Sequence, residues 1–199
     1  MKILVILAHP KEGSFNHAIT HTAIKTLKSN GYDVIFHDLY VENFNPTLPF
    51  EEIPKNAETD SMVEKYCKEI ISVDGIIIVH PNWWGMPPAI LKGWVDRVMR
   101  AGVAYQFVEG DLGEGIPTGL LNAANVLIFN TSNTTTEREN KVFGDPLELI
   151  WKNCVFGLCG INNVHRKNYG VMVTSTLKQR NKWLKNVEDT TNSIFPLNL

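Results

Sequence analysis

The sequence has little of several features that mark specialised protein classes. Its three cysteines, Cys67, Cys154 and Cys159, form no C-x-x-C pair, which argues against a disulfide framework and against a zinc site. No run approaches the roughly 20 apolar residues of a membrane-spanning helix. The first apolar stretch ends at Pro10, before a signal-peptide core is complete. We therefore expect no membrane insertion and a cytoplasmic location.

An excess of charge of one sign is also missing. The chain has 19 Lys and Arg against 21 Asp and Glu, a formal net charge of -2. Proteins that bind nucleic acid usually carry a basic excess, so this balance favours a small-molecule partner over nucleic acid. Hydrophobic residues make up 44% of the 199 positions, and no linker-like shift in composition divides them. We therefore expect a single domain over residues 1–199.

Apolar runs alternate with helix signals along the chain. The pattern predicts buried strands at residues 2–8, 32–38, 75–80, 125–130 and 168–173. Helices are predicted between them: one capped by Ser14 and ended near Gly31, one over residues 61–72, one through Ile90 to Val98, one from Asp145 and Pro146 to about Gly160, and one capped by Ser175. This alternation predicts a doubly wound parallel sheet with helices on both faces.

The loop after the first strand runs from His9 to Asn16. Its backbone N–H groups and the hydroxyl of Ser14 lie at the start of a helix, where an anion is stabilised. Neither the G-x-x-x-x-G-K-[ST] phosphate loop nor the G-x-G-x-x-G dinucleotide fingerprint is present. Taken alone, this loop is better explained as a helix cap than as a ligand site.

The loop after the third strand, His80 to Pro88, places Trp83 and Trp84 side by side in a turn. Two indoles there can form a wall beside a flat ligand, and Gly85 lets the backbone approach that ligand closely. Alternatively, one indole caps the core and the other meets a partner subunit. We expect His80 itself to be a hydrogen-bonded core or rim residue rather than a base.

The loop after the fourth strand begins with a polar run from Asn130 to Thr136, whose donors face either a negatively charged ring edge or solvent. In a five-stranded sheet of order 2-1-3-4-5, the loops after strands one, three and four converge at the switch point, where ligands bind. The coincidence of three suitable loops at one edge therefore favours a ligand site.

Two other kinds of site are disfavoured. His17 and His21 have the i, i+4 spacing of a helical metal pair, but Ala18 replaces the Glu of H-E-x-x-H and no third ligand is evident, so we expect no metal site. A phospho-acceptor receiver domain, which shares the strand order, requires acidic residues after strand one and an Asp at the end of strand three. The chain has His9-Pro10 and His80-Pro81 there.

Four motifs in combination carry a family resemblance. They are A-H-P-x-x-x-S-F-N over residues 8–16, W-W-G-M-P over 83–87, L-K-G-W-x-D-R-V over 91–98 and G-x-A-Y-x-F over 102–107. Up to about Gly160 the chain resembles the flavodoxin-like NAD(P)H:quinone oxidoreductases, which include DT-diaphorase and the bacterial modulator-of-drug-activity proteins. The resemblance implies a flavodoxin-like three-layer sandwich with a five-stranded parallel sheet of order 2-1-3-4-5.

The resemblance also implies a bound flavin, FAD or alternatively FMN, with NAD(P)H as co-substrate and a quinone-type acceptor. The phosphates and ribityl chain of the flavin would contact His9, Ser14, Phe15 and Asn16. The flavin ring would be flanked by Pro81, Asn82, Trp83, Trp84 and Gly85. The pyrimidine edge of the ring would meet Thr131, Ser132 and Asn133. The acceptor pocket would be lined by Trp84, Tyr105 and Phe107 and completed by the second subunit of a homodimer. The implied reaction is a two-step, two-electron hydride transfer through flavin N5.

One departure leaves the catalytic residues unassigned. DT-diaphorase has a Tyr and a His in the third loop, whereas this chain has Phe143 in the place of the His and Glu137 or Arg138 in the place of the Tyr. Arg138 or Lys141 could supply positive charge, and a solvated charged surface is the alternative.

Two functions without catalysis by this chain remain open. One is a flavodoxin-type electron carrier, and the other is a flavin-binding ancillary subunit of a potassium-efflux system. The segment from Gly102 to Thr118 is long enough to build a substrate wall, which favours the enzyme.

Overall fold

A computed structural model describes residues 1–55, 57–107, 115 and 117–198. Its strands are β1 (Lys2–Leu7), β2 (Asp33–Asp38), β3 (Gly75–Pro81), β4 (Tyr105–Gln106), β5 (Thr118–Gly119), β6 (Asn125–Thr131) and β7 (Val164–Tyr169). Five of them form one parallel sheet in the order β2-β1-β3-β6-β7, and β4 pairs with β5 in a separate antiparallel ladder. Without that short ladder the order is 2-1-3-4-5, as predicted.

Helices cover both faces of the sheet. They are α1 (Phe15–Ser29), α2 (Ser61–Ser72), α3 (Ala89–Val98), α4 (Thr136–Phe143), α5 (Pro146–Leu149) and α6 (Leu177–Ile194), with a 3₁₀ turn at Phe50–Glu52 and a π-helical stretch at Ile150–Gly157. One apolar cluster joins the sheet to α1 and α6, and the other joins it to α2, α3 and the π-helical stretch. These layers confirm the three-layer sandwich.

The fifth strand of the sheet lies four residues earlier than the pattern predicts. The prediction was 168–173, but β7 spans Val164–Tyr169. Among the described strands β7 pairs only with β6, at the edge of the sheet, so its sequence is polar and His165 and Lys167 are exposed. The chain leaves the sheet at Gly170, where a Cβ would lie 2.5 Å from the Thr134 carbonyl oxygen.

Of two predicted helix caps, one is confirmed and one is wrong. Asp145 is the N-cap of α5 and Pro146 is its first residue, as predicted, although Asp145 has a φ of 47° and its carboxylate pairs with the Arg166 guanidinium instead of a helix N–H. The last helix is capped by Thr176 rather than Ser175, since the Thr176 hydroxyl accepts a hydrogen bond of 3.2 Å from the Gln179 N–H.

Within the described part of the chain, no helix combines the length and the apolar character needed to cross a membrane.

Candidate functional site

The carboxyl ends of β1, β3 and β6 meet at one edge of the sheet, and the three loops that follow them enclose a cavity of about 230 Å³. Its lining residues are His9, Phe15, Asn16, Pro81, Asn82, Trp83, Thr131, Ser132, Asn133 and Met172. Most of the residues predicted to hold a cofactor therefore line this cavity. The exceptions are Ser14, Trp84 and Gly85, which lie beside it.

The first wall is the start of α1. Ser14 caps this 15-residue helix, whose first turn contains no acidic side chain, so its N–H groups can face an anion. Asn16 is 2% exposed and joins two loops, because its Nδ2 donates a 2.9 Å hydrogen bond to Thr131 Oγ1. Its Oδ1 is buried and has no partner among the described residues. A buried acceptor of this kind is costly unless a ligand completes it.

His9 stands between the first wall and the second. His9 Nδ1 lies 3.1 Å from the Lys11 backbone nitrogen and 3.2 Å from the Lys11 carbonyl oxygen, so the Lys11 backbone holds this side of the ring in place. Burial, together with the nearby His17, lowers the pKa of His9 despite a bond to the Lys11 backbone. The ring also contacts Trp83, with centroids 6.4 Å apart. His9 is thus a neutral imidazole at neutral pH, with one nitrogen that donates and one that accepts.

The second wall is a tight turn. The N–H groups of Trp83 and Met86 donate to each other's carbonyl oxygens at 3.1 and 3.0 Å, and the residues between them, Trp84 and Gly85, have φ of 58° and 73°. Trp84 is 96% exposed, so it is not part of the cavity lining. A Cβ on Gly85 would lie 2.6 Å from Pro146 Cγ, which fixes the turn against the start of α5.

A buried network holds the second and third walls in place. His80 is fully buried, as expected for a core residue, and its Nε2 accepts from Trp151 Nε1 at 3.0 Å and from Asn130 Nδ2 at 2.8 Å. Its Nδ1 donates to the Pro81 carbonyl oxygen at 2.8 Å. Burial lowers the pKa of His80 to about 4, so the ring is neutral at physiological pH.

The third wall contains residues that the sequence did not identify. The Asn168 Nδ2 donates to Ser132 Oγ at 3.1 Å, and the Met172 N–H donates to the Ser132 carbonyl oxygen at 2.9 Å. Met172 lines the cavity, but the predicted strand over 168–173 assigned it to the core. Gly170, directly after the last strand residue, was the available signal that a loop begins there.

The residues predicted for the acceptor pocket lie outside this cavity. The rings of Tyr105 and Phe107 contact each other edge to face, with centroids 5.9 Å apart, and Phe107 is 41% exposed. Of the predicted substrate wall over 102–118, residues 108–114 and 116 lie outside the described part of the chain.

The two candidate cations lie on α4. Arg138 lies over the Phe143 ring at 5.5 Å, and Lys141 pairs with the exposed Glu137 at 2.8 Å. Neither lines the cavity. Among the described residues no group of three or more His, Cys, Asp or Glu side chains is placed to hold a metal ion.

A doubly wound parallel sheet with a cavity at its switch point places this chain among the open α/β proteins, which bind ligands at that point of the sheet. Comparison with known proteins then gives the family: the sequence model of the flavodoxin-like fold family matches residues 1–188, and the chain belongs to that family.

Relatives agree with this assignment. An uncharacterized NAD(P)H oxidoreductase of Haemophilus influenzae is 37% identical over 176 residues, which cover 85% of this chain and 84% of the relative. NAD(P)H dehydrogenase [quinone] 1 of Rattus norvegicus is 35% identical over 127 residues, which cover 53% of this chain and 46% of the relative. An FMN-dependent NADH-azoreductase of Bacillus anthracis, solved in complex with FMN, has the same fold with a TM-score of 0.78 at 17% identity, covering 97% and 99% of the two chains.

Proposed function

We propose that this chain is a flavin-dependent NAD(P)H:acceptor oxidoreductase whose acceptor is of the quinone type. The observation that carries the proposal is the cavity at the switch point, where Asn16 presents a buried acceptor atom without a protein partner. Relatives named NAD(P)H oxidoreductase and NAD(P)H dehydrogenase [quinone] support the reaction class.

The residues around the cavity fit a flavin. The N-terminus of α1 and the Ser14 hydroxyl suit its phosphate, and Asn16 Oδ1 can accept a hydrogen bond from a ribityl hydroxyl. Trp83 offers an aromatic wall to a flat ring system. Donors of the third loop, Thr131 to Asn133, would face the polar edge of that ring.

A bound flavin supplies two-electron chemistry, accepting a hydride from NAD(P)H and delivering it to the acceptor. The role of this chain is to orient the reactants and to stabilise negative charge. Among the lining residues, His9 is the only one with an ionisable side chain, and its lowered pKa keeps it neutral at neutral pH. Neutral hydrogen-bond donors, rather than a cationic side chain, therefore face the ring.

Two finer points belong to the proposal. The Ser14-Phe15-Asn16 match favours FAD, whereas the azoreductase of the same fold carries FMN.

We also propose a homodimer that completes the acceptor pocket, since Trp84, Phe107 and Leu149 expose 96%, 41% and 53% of their surface. Sedimentation velocity would report the dimer, and mass spectrometry of the flavin released by denaturation would identify the cofactor.

The reaction is tested on purified protein loaded with flavin under anaerobic conditions. We expect NADH or NADPH to bleach the flavin absorbance directly, and a quinone to restore it. Bleaching only after addition of a separate reductase would replace the proposal with the electron-carrier function. Failure to take up FAD or FMN would overturn the flavin site itself.

A further inference from the structure

A line of three side chains lies behind the first wall of the site. The Ser14 Oγ and His17 Nδ1 are 2.8 Å apart, and His17 Nε2 is 3.2 Å from Asp38 Oδ2. His17 is 8% exposed and Asp38 is also 8% exposed, so both ring nitrogens of a buried imidazole are engaged. Helix capping by Ser14 needs only its 3.4 Å contact with the His17 N–H, so the ring contacts are additional to the cap.

We propose that His17 controls whether the Ser14 hydroxyl donates to the phosphate of the cofactor, so that binding of the phosphate is coupled to uptake of a proton by His17. This inference rests on the proposed flavin site. In this arrangement His17 is a positioning residue: it acts through Ser14, and Asp38 acts through His17.

The donors and acceptors of the three groups lead to this coupling. An ionised carboxylate only accepts hydrogen bonds, so the proton of a neutral His17 ring lies on Nε2, facing Asp38. Nδ1 then accepts, and the Ser14 hydroxyl must donate its hydrogen to it. One lone pair of Ser14 Oγ accepts from the His17 N–H, and the other is left facing outward. An outward lone pair repels a phosphate oxygen.

Protonation of His17 reverses this arrangement. Both ring nitrogens then carry hydrogen, so Nδ1 donates to Ser14 Oγ while Nε2 still donates to Asp38. Both lone pairs of Ser14 Oγ are now occupied, and its hydrogen is free to point outward to an anion. The cation on His17 is paired with Asp38, and it faces the end of α1 where the phosphate would lie.

The surroundings of the ring fit this role. Asp38 is fixed at the end of β2, because its Oδ1 accepts from the N–H groups of Tyr40 and Val41 at 3.1 and 3.2 Å. The other titratable groups that face His17 are His9, whose ring centroid is 6.3 Å away, and Glu12 and His21.

Glu12 and His21 share with His17 and Asp38 a second cavity of about 450 Å³. It is lined by Glu12, Gly13, Ser14, His17, Ala18, His21, Phe36, Asp38 and Val41.

Isothermal titration with FMN and with riboflavin, which differ only in the phosphate, tests the proposal. At pH 7.5, above the second phosphate pKa of about 6, each flavin is titrated into flavin-free protein in two buffers of different ionisation enthalpy. We expect FMN binding to take up a fraction of a proton, up to about one, and riboflavin binding to take up none. Because binding then takes up a proton, FMN affinity should fall as pH rises, by up to about tenfold per pH unit.

Two variants test whether His17 is the group that takes up the proton. In His17→Asn the amide can still donate to Ser14 but cannot titrate, so FMN should bind without proton uptake and with little dependence on pH. His21→Asn is the matched control: it removes an exposed imidazole one turn along the same helix and should retain the uptake. Uptake that persists in His17→Asn would assign the proton to another group, such as His9, and overturn the proposal.

NMR of protein labelled with ¹⁵N-histidine gives an independent readout. Adding FMN at pH 7.5 should move His17 to the imidazolium pattern, and riboflavin should not. FMN binding with a neutral His17 and no proton uptake would overturn the coupling while leaving the flavin site intact. Failure of both flavins to bind would instead overturn the proposed function, and this inference with it.

Discussion

The indole N–H of Trp151 donates a 3.0 Å hydrogen bond to Nε2 of the fully buried His80. Because Asn130 Nδ2 donates to the same nitrogen and His80 Nδ1 donates to the Pro81 carbonyl oxygen, the neutral ring has all of its polar atoms satisfied. The bond ties the π-helical stretch to the ends of β3 and β6, where two walls of the candidate site begin.

This network makes stability depend on pH. Burial lowers the pKa of His80 to about 4 in the folded protein, against 6.5 for a free ring, so the unfolded chain binds more protons below pH 6.5. The free energy of unfolding should therefore fall as pH drops from 6.5 to about 4, by an amount on the order of 3 kcal/mol. Urea unfolding across this range measures the slope.

Two variants test whether His80 causes this dependence of stability on pH. In His80→Gln the amide oxygen can still accept from Trp151 but cannot titrate, so part of the fall should disappear. His165→Gln, at an exposed position on β7, should retain all of it. Equal slopes in the wild type and in His80→Gln would show that His80 does not titrate as the geometry requires.

The parts of the site that the sequence predicted share a physical cause. β1 and β3 have neighbours on both sides and helices on both faces, so an apolar run alone marks them, and the loops after them follow directly. Among the described strands β7 has one neighbour, and its sequence is polar, so no apolar run identifies it as a strand. The bond between Asn16 and Thr131 spans 115 positions, so only the folded chain reveals it.

The Trp83–Met86 turn keeps a strained residue. Trp84 has φ of 58°, a left-handed conformation that Asn or Gly adopts at lower cost, and it is 96% exposed. Trp84→Asn should therefore raise the free energy of unfolding of the flavin-free protein by about 1 kcal/mol. If Trp84 lines the proposed acceptor pocket, KM for a quinone should rise at the same time, whereas KM for NAD(P)H with a saturating small acceptor should change less.

Trp83→Asn tests whether the backbone conformation causes the gain. Trp83 does not have a positive φ, so this variant should gain no stability. A Trp84→Asn protein that is less stable than the wild type would show that the exposed indole makes contacts that offset the strain.

Arg97 holds the segment before α2 against α3. Its guanidinium is 2% exposed and pairs with Glu52 and Asp60 at 2.5 Å each, and it also donates to the Asn45 carbonyl oxygen at 2.8 Å. Arg97→Met should lower the free energy of unfolding by about 3–5 kcal/mol, since it leaves the buried Glu52 carboxylate without its partner. Chemical denaturation measures the loss.

Combining Arg97→Met with Glu52→Gln should recover part of that loss, because the uncompensated charge is removed. Lys92→Met, which breaks an exposed pair with Asp96 on the same helix, should change stability by less than about 1 kcal/mol. A similar small effect for Arg97→Met would contradict the importance of this buried pair.

Asn16 offers the sharpest test of the flavin site. Its Oδ1 is buried without a partner among the described residues, and its Nδ2 bonds Thr131 Oγ1. Asn16→Leu removes the acceptor offered to the ligand, so affinity for flavin should fall about tenfold, equivalent to roughly 1.4 kcal/mol. Stability of the flavin-free protein should change by no more than about 1 kcal/mol, because the unsatisfied oxygen disappears together with the bond to Thr131.

Thr20→Val is the control for Asn16→Leu. It removes a buried hydroxyl one turn further along α1 that bonds only the Asn16 carbonyl oxygen among the described residues, at 2.9 Å, and it should leave flavin affinity unchanged. Fluorescence titration of riboflavin and FMN against both variants compares them directly. The acceptor at Asn16 would play no part in binding if both variants matched the wild type, and a loss shared equally by both would point to a general disturbance of α1 instead.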